Sequence, residues 1–259
     1  MAYFKLEGMN VMITEKTKSI LMDKITILKD KDKNELCLVG PVKMPVQLDD
    51  EVVIFHWYTW MPLEGVAKEK EAILESLATM DLAQEQQSSV LVYGDFENAE
   101  EAFIRMHSIC HTGDIFGSKR CDCGFQLRQS MRMIVEKGSG ALFYLANHEG
   151  RGIGLLSKTF AYILQQEGYD TVEANHALGF PDDTRSYEEA IRVLKGLRSR
   201  PITLITNNPK KIAALKTHGL LISDHIPLWG DVSEYNEFYL ATKVEKAGHI
   251  NKSELIIAN

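Results

Sequence analysis

The sequence predicts a mixed α/β (α+β) protein in which a smaller, mostly β N-terminal region precedes a larger domain of alternating strands and helices. Three observations carry this. Short apolar runs separated by turn residues fill the first 80 or so positions. From Ser89 onward strand-like and helix-like segments alternate. A chain of 259 residues, 45% hydrophobic and 25% charged, is long enough to bury a sizeable core. The expected division is residues 1–88 and 89–259.

In the first region, ITIL (25–28), ELCLVGPV (35–42) and EVVIFHWYTW (51–60) read as strands between charged or proline-containing segments. The aromatic run WYTW (57–60) reads as core or interface, with core the default. Residues 64–88 place Ile73, Leu74 and Leu77 at helical spacing and then turn polar, which predicts a helix and a linker. Beyond it SSVLVYG, AFIRMHSIC and ALFYLAN (141–147) are strand-like. FQLRQSMRMIVEKG is helical, with Leu127, Met131 and Ile134 on one face and Gly138 past the end. LLSKTFAYILQQEG (155–168) aligns Leu156, Phe160, Ile163 and Leu164 on one stripe. Ser186 and Glu189 have the spacing of a capping box for SYEEAIRVLKGL. PITLIT is a further strand, and Asn208 followed by Pro209 opens a helix that Gly219 closes.

A formal net charge of -7 argues against a general nucleic-acid or membrane-surface binder, because either task needs a basic face. A local basic pocket for a phosphorylated small molecule is compatible with it. The N-terminus carries acidic residues and no continuous apolar stretch, and no run approaches the roughly 18 apolar residues of a membrane span, so a cytoplasmic protein is expected. Of four cysteines, Cys37 stands alone while Cys110, Cys121 and Cys123 cluster, a pattern that favours metal over disulfide.

The C-x10-C-x-C arrangement supplies three soft ligands suited to tetrahedral zinc. Three ligands leave a fourth position open, as in catalytic zinc sites, where a bound water ionises near neutral pH. The competing arrangements are a closed structural zinc with His107 or His111 as fourth ligand, and three buried thiols with no metal. The C-x-C pair reaches one ion if the chain there is extended.

Two strand-to-helix turns, HEGRGIG (148–154) and TNNPKK (206–211), place glycines, helix-start amides, Thr206, Lys210 and Lys211 where an anion could sit. Together with Arg105 and Arg185 they suit a polyphosphate, which would bring Mg²⁺. Each turn taken alone is equally an ordinary helix start with solvated lysines. Between them lies the polar stretch DTVEANHALGFPDDTRSY (170–187), in which Asp183 and Arg185 are one residue apart. An extended chain would point both the same way, a carboxylate for proton transfer beside a guanidinium for charge stabilisation; a surface salt bridge is the plainer reading.

In this order, RMHSICHTGDIFGSKRCDCGFQL, HEGRGIGL, YDTVEANHALGF, DDTR and LITNNPKK closely resemble the GTP cyclohydrolase II family, from about Val90 to His249, where YNEFYLATKVEKAGH looks like the family's C-terminal signature. The resemblance implies a GTP cyclohydrolase II-like catalytic domain with one Zn²⁺ per chain on Cys110, Cys121 and Cys123. It also implies attack of a zinc-activated water on C8 of guanine. Formate and pyrophosphate are lost, leaving a diaminopyrimidine ribosyl monophosphate, the first committed intermediate of riboflavin synthesis. Arg105, Met106, His107, Ser108 and Ile109 would line the nucleotide site with Gln126, Glu149, Gly150, Arg151, Thr171, Thr206 and Lys211. Asp183 takes the place of the proton acceptor, Arg185 that of the nucleophile toward the α-phosphate, and Tyr162 that of a tyrosine able to orient the opened ring. A guanidinium is a poor nucleophile and a good phosphate fork, so Arg185 is expected to be essential whether or not it bonds covalently. The family further suggests a homodimer.

Two departures from the family pattern stand beside the metal. Ile109 replaces the usual glutamate before Cys110, and His111 stands where an apolar residue is usual. They motivate alternatives: another purine nucleotide, a formamide product feeding another pathway, or a non-catalytic nucleotide-binding protein in which His111 closes the zinc.

Overall fold

The computed structural model of the chain describes residues 13–29, 35–63, 69–230, 232–245 and 248. The extreme N-terminus, the start of the 64–88 segment and His249, the far end of the family resemblance, lie outside the described residues.

Among the described residues, eight strands form one sheet. They are β1 Ile25–Lys29, β2 Glu35–Leu48, β3 Glu51–Pro62, β4 Ser89–Tyr93, β5 Phe103–Ser108, β6 Gly140–Leu145, β7 Ile202–Ile205 and β8 Ile222–Ile226. Their spatial order is β1-β2-β3-β4-β6-β5-β7-β8. Pairings from β1 to β6 are antiparallel, and β6, β5, β7 and β8 run parallel. The sequence texture follows the same division. β3 alternates, with Val53 and Phe55 buried and Val52 and Ile54 exposed, whereas all four residues of β7 are buried, as a parallel strand covered on both faces requires.

Eight α-helices accompany the sheet among the described residues: α1 Glu15–Met22, α2 Lys70–Ser76, α3 Cys123–Lys137, α4 Leu155–Gln166, α5 Thr171–Ala177, α6 Glu188–Leu197, α7 Pro209–Thr217 and α8 Glu237–Glu245. Alternate residues of β6 feed opposite layers. Ala141, Phe143 and Leu145 join α6 residues Ile191 and Leu194 and Leu215 of α7, while Leu142 joins Met131 and Ile134 of α3. Leu36, Leu38 and Trp60 bury in the same cluster as Val90 and Ile104, so sheet and core run without interruption across Ser88 and Ser89. No helix among the described residues is long and apolar enough to cross a membrane.

Two local expectations are corrected. Among the described residues of 64–88 the α-helix is Lys70–Ser76; its Ile73 and Leu74 are buried, but Leu77 lies past its end and is exposed. Ser186 and Glu189 make no capping box, because α6 is capped at Tyr187 without a side-chain bond and the Glu189 carboxylate accepts from Trp60 Nε1 at 3.0 Å. The apolar stripe of α4 faces outward, with Leu156 73%, Phe160 51% and Ile163 50% exposed. The inward face carries Lys158 and Ala161, because polar partners wait there.

Candidate active site

The cleft lies beyond the C-terminal ends of β5, β6 and β7, where loops leaving parallel strands converge. Its sulfur side is local in sequence. Cys110 ends the chain leaving β5 and caps a π-helical turn, His111–Ile115. This widened turn carries the Asp114 carboxylate back to accept from Cys110 N at 2.9 Å and Tyr144 Oη at 3.1 Å, with His107 Nε2 3.1 Å away. Cys121 lies in a bend and Cys123 is the first residue of α3. The pair therefore does not converge through extended chain, as its spacing suggested. Asp122, at φ -100° and ψ 10°, folds the chain so that both sulfurs meet Cys110.

All three sulfurs lie within 4.8 Å of one another, with Cys110 Sγ 3.6 Å from Cys121 Sγ. Among the described residues no histidine or carboxylate joins the group. The His111 ring turns away to meet Phe116 edge-on at 4.9 Å, and His107 is held by Asp114. The space over the sulfurs is kept by Gly113, whose added Cβ would stand 2.8 Å from Cys121 Sγ and 3.1 Å from Cys110 Sγ. Three convergent soft donors around a spot closed to any side chain fit a zinc site. The Cys110 sulfur is held well below the ordinary thiol range by donation from Cys121 and Cys123, with attraction from the Lys158 ammonium adding to it. The same sharing pushes Cys121 and Cys123 upward.

The second side is cationic. Arg105 on β5 donates to Ile205 O at 2.9 Å and to Gln126 Oε1 at 2.6 Å, and its buried Nε has no partner among the described residues. Lys211 on α7 donates to Met106 O at 3.0 Å. Burial, then repulsion from Arg105 and Arg185, drives the Lys211 ammonium well below the usual lysine range. Arg185 forms a fork on Asp183, with Nε to Oδ1 at 2.8 Å and Nη2 to Oδ2 at 2.5 Å, and donates from Nη1 to Ser108 Oγ at 3.2 Å. Burial pushes the Asp183 carboxyl up, but Arg185 outweighs it and holds the carboxyl below its ordinary value. Asp183 and Arg185 are drawn together by an Asp183 side chain that also accepts from Arg185 N, a local turn and not a strand.

The HEGRGIG turn docks onto this segment. Thr184 N and Oγ1 both donate to Arg151 O at 3.1 Å, and a Cβ on Gly152 would strike Thr184 Oγ1 at 2.2 Å, so only glycine permits the approach.

Of the residues proposed from the sequence, Arg105, His107, Ser108, Ile109, Gln126, Glu149, Gly150, Arg151, Tyr162, Thr171, Asp183, Arg185, Thr206 and Lys211 all line this one cleft with the three cysteines. Met106 does not; it is buried in the core and meets the site only through its carbonyl.

The family model for GTP cyclohydrolase II matches residues 75–227. The chain belongs to the GTP cyclohydrolase II family. Among curated proteins it is similar to the riboflavin biosynthesis protein RibBA of Bacillus velezensis and of Bacillus subtilis strain 168, 51% identical to each over 160 residues. The RibBA of Bacillus cereus strain B4264 is 50% identical over 160 residues. These alignments cover 61–62% of this chain and 40% of each relative, so the chain spans well under half the length of the curated proteins it matches.

This GTP cyclohydrolase II family site also contains groups that sequence reasoning missed. Lys158 is buried between Glu149 Oε1 at 2.6 Å and Cys110 Sγ at 3.3 Å. Burial disfavours its charge, yet Cys110, Tyr162 and Glu149 hold the ammonium well above its ordinary range. Arg120 stacks 4.4 Å over the Tyr162 ring. His148 links Ser108 Oγ at 3.1 Å to Ser186 O at 2.8 Å. Tyr239 and Lys243 close one wall, with Asp122 behind it accepting from Lys243 Nζ. Lys158 was legible in principle, since it lies four residues before Tyr162 on the helix face opposite the apolar stripe.

Proposed function

We propose that this chain hydrolyses GTP, opening the imidazole ring at C8 with release of formate and pyrophosphate to give the diaminopyrimidine ribosyl monophosphate of riboflavin biosynthesis. The observation that carries this reading is a single cleft pairing a three-thiol zinc site with the cations Arg105, Arg185 and Lys211. Buried cations that repel one another, as Arg105, Arg185 and Lys211 do, favour a polyanionic ligand that offsets the repulsion.

Zinc held by Cys110, Cys121 and Cys123 supplies Lewis acidity at the sulfur end. Lys158 and Glu149 fix the charge balance beside Cys110. On the cationic side Arg105, Arg185, Thr206 and Lys211 bind phosphate oxygens, with Mg²⁺ on the triphosphate. Gln126, Glu149, Gly150, Arg151 and Thr171, with His107, Ser108 and Ile109, shape the remaining nucleotide surface. Asp183, kept ionised by Arg185, accepts a proton, and the Arg185 fork stabilises charge at the α-phosphate. Tyr162, its ring clamped by Arg120, directs its hydroxyl at the opened ring.

The protein acts as a homodimer in this reading, with the exposed Leu156, Phe160 and Ile163 stripe meeting a second copy. Phe160→Asp then shifts the mass in solution to that of one chain; an unchanged mass refutes that contact. Cytoplasmic residence fits a cluster whose thiols must stay reduced to hold metal. Residues 1–88 serve as a structural extension of the 89–259 catalytic unit.

The deciding experiment incubates zinc- and magnesium-supplied protein with GTP and follows formate, pyrophosphate and the purine-derived product by mass spectrometry. Formate and diaminopyrimidine, absent with Cys121→Ser, support the reading; intact GTP ends it. Ile109, an apolar wall residue beside Cys110, favours a second reading in which the product keeps C8 as a formamide.

A further inference from the structure

Four polar side chains form a continuous line from the C-terminal helix to the cationic wall of the cleft. Lys243 Nζ on α8 donates to Asp122 Oδ1 at 2.6 Å. Asp122 Oδ2 accepts from Gln126 Nε2 at 2.7 Å, and Gln126 Oε1 accepts from Arg105 Nη2 at 2.6 Å. The Asp122 side chain is fully enclosed and that of Lys243 is 11% exposed. The outer valences are tied to backbone: Gln126 Nε2 also donates to Leu228 O at 3.0 Å, and Arg105 Nη1 to Ile205 O at 2.9 Å.

Two features set this line apart from an ordinary buried ion pair. Asp122 is the N-cap residue of α3, where a carboxylate normally accepts from amides of the first turn, yet it makes no cap bond. Its two oxygens go to Lys243 and Gln126 instead. Lys243, moreover, comes from the C-terminal YNEFYLATKVEKAGH stretch, 121 positions from Asp122, with its ammonium 4.5 Å over the Tyr239 ring.

We infer that Lys243 is a positioning residue for Arg105, acting through Asp122 and Gln126. The order of donors and acceptors dictates the orientation. A carboxylate that accepts from Gln126 forces the amide to turn its NH₂ toward Asp122 and its oxygen toward Arg105, which fixes one arm of the guanidinium. Lys243 holds the carboxylate from the far side. Without it, the open amides at the start of α3 compete for Asp122, the Gln126 amide loses its fixed orientation, and Arg105 loses its aim.

This inference rests on the cleft being a nucleotide site, and the test separates the two. Zinc-loaded full-length protein is prepared as wild type, Lys243→Met, Lys243→Arg, Gln126→Ala and the Lys243→Met/Gln126→Ala double variant. Hydrogen exchange of the Arg105 guanidinium protons is followed by NMR without ligand, and GTP binding by calorimetry. Lys243→Met is expected to speed Arg105 exchange and weaken GTP binding, each by about tenfold, the worth of one charge-assisted hydrogen bond. Zinc content stays the same, Lys243→Arg restores both readouts, and the double variant is no weaker than Gln126→Ala. Unchanged Arg105 exchange, or independent losses from Lys243 and Gln126, overturns the inference, the latter because it marks Lys243 as a direct ligand contact. Should Lys243→Met fail to fold, Lys243→Gln takes its place under the same criteria. If no variant binds GTP while Arg105 exchange still follows Lys243, the nucleotide reading fails and the positioning role stands.

Discussion

The ammonium of Lys158 stands 3.3 Å from the sulfur of Cys110, and on its other side the same nitrogen meets Glu149 Oε1 at 2.6 Å. A cation is thereby buried at the edge of the metal site, with side-chain exposures of 9% for Lys158 and 4% for Glu149. Lys158→Met strands the carboxylate and is expected to lower unfolding free energy by about 3–5 kcal/mol. Lys158→Met/Glu149→Gln recovers most of that in urea titrations. Equal losses from the single and double variants would mean that the stranded carboxylate is not the source of the loss.

Zinc content tests the thiol cluster directly. Cys121→Ser is expected to lose the ion, and chelation of the wild type to lower its melting temperature, since binding free energy at such a site is also folding free energy. Cys37 lies in a separate apolar cluster with Ile25 and Ile73, so Cys37→Ala keeps its metal. Loss of zinc on changing Cys37 would contradict the assignment.

Burial depresses His148 from 6.5 to about 4, and its Nε2 faces the carbonyl of Ser186, so the neutral ring donates there and accepts from Ser108 at Nδ1. The unfolded chain therefore binds the proton more readily between these values. The stability contributed by the neutral ring is complete above about pH 6.5 and is lost as pH falls to about 4, about 3 kcal/mol in all. His148→Gln flattens that part of the stability curve, and an unchanged slope rules His148 out as its source.

Arg185→Lys keeps a positive charge but loses the fork on Asp183 and the reach to Ser108. Turnover of GTP is expected to fall by about 100-fold, the cost typical of one lost charge-stabilising donor, with zinc content unchanged. Near-normal turnover in this variant would show that charge alone suffices.

Deleting residues 1–88 removes β1–β3 and uncovers Val90 and Ile104, which pack against Leu36, Leu38 and Trp60. The remaining fragment is expected to be insoluble or unfolded by circular dichroism. A cooperatively folding 89–259 fragment would show that this core survives without its N-terminal strands.

Much of this architecture was legible from period and punctuation. Gly138 and the Asn208-Pro209 pair end and start helices where expected, because local capping chemistry decided them. Long ordered motifs likewise marked out most of the cleft lining. The misreadings arose where distant partners outweighed local spacing. Glu189 bonds to Trp60, 129 positions away, and not to its own helix start. The α4 stripe was legible as a stripe but its outward direction was not, because nothing near it in sequence announced that Lys158 would be drawn inward by Cys110 and Glu149. Lys243 and Asp122, 121 positions apart, carry no mutual signal in a single sequence.

The two halves of the cleft close over very different lengths of chain. Only eleven positions separate Cys110 from Cys121, whereas Lys211 reaches Met106 across 105. Closing a short loop costs less chain entropy and happens sooner than bringing remote parallel strands into register. The thiol loop can thus close on its ion before α7 and α8 complete the cationic wall. Refolding in the presence of zinc is then expected to fill the site faster than adding zinc to folded protein.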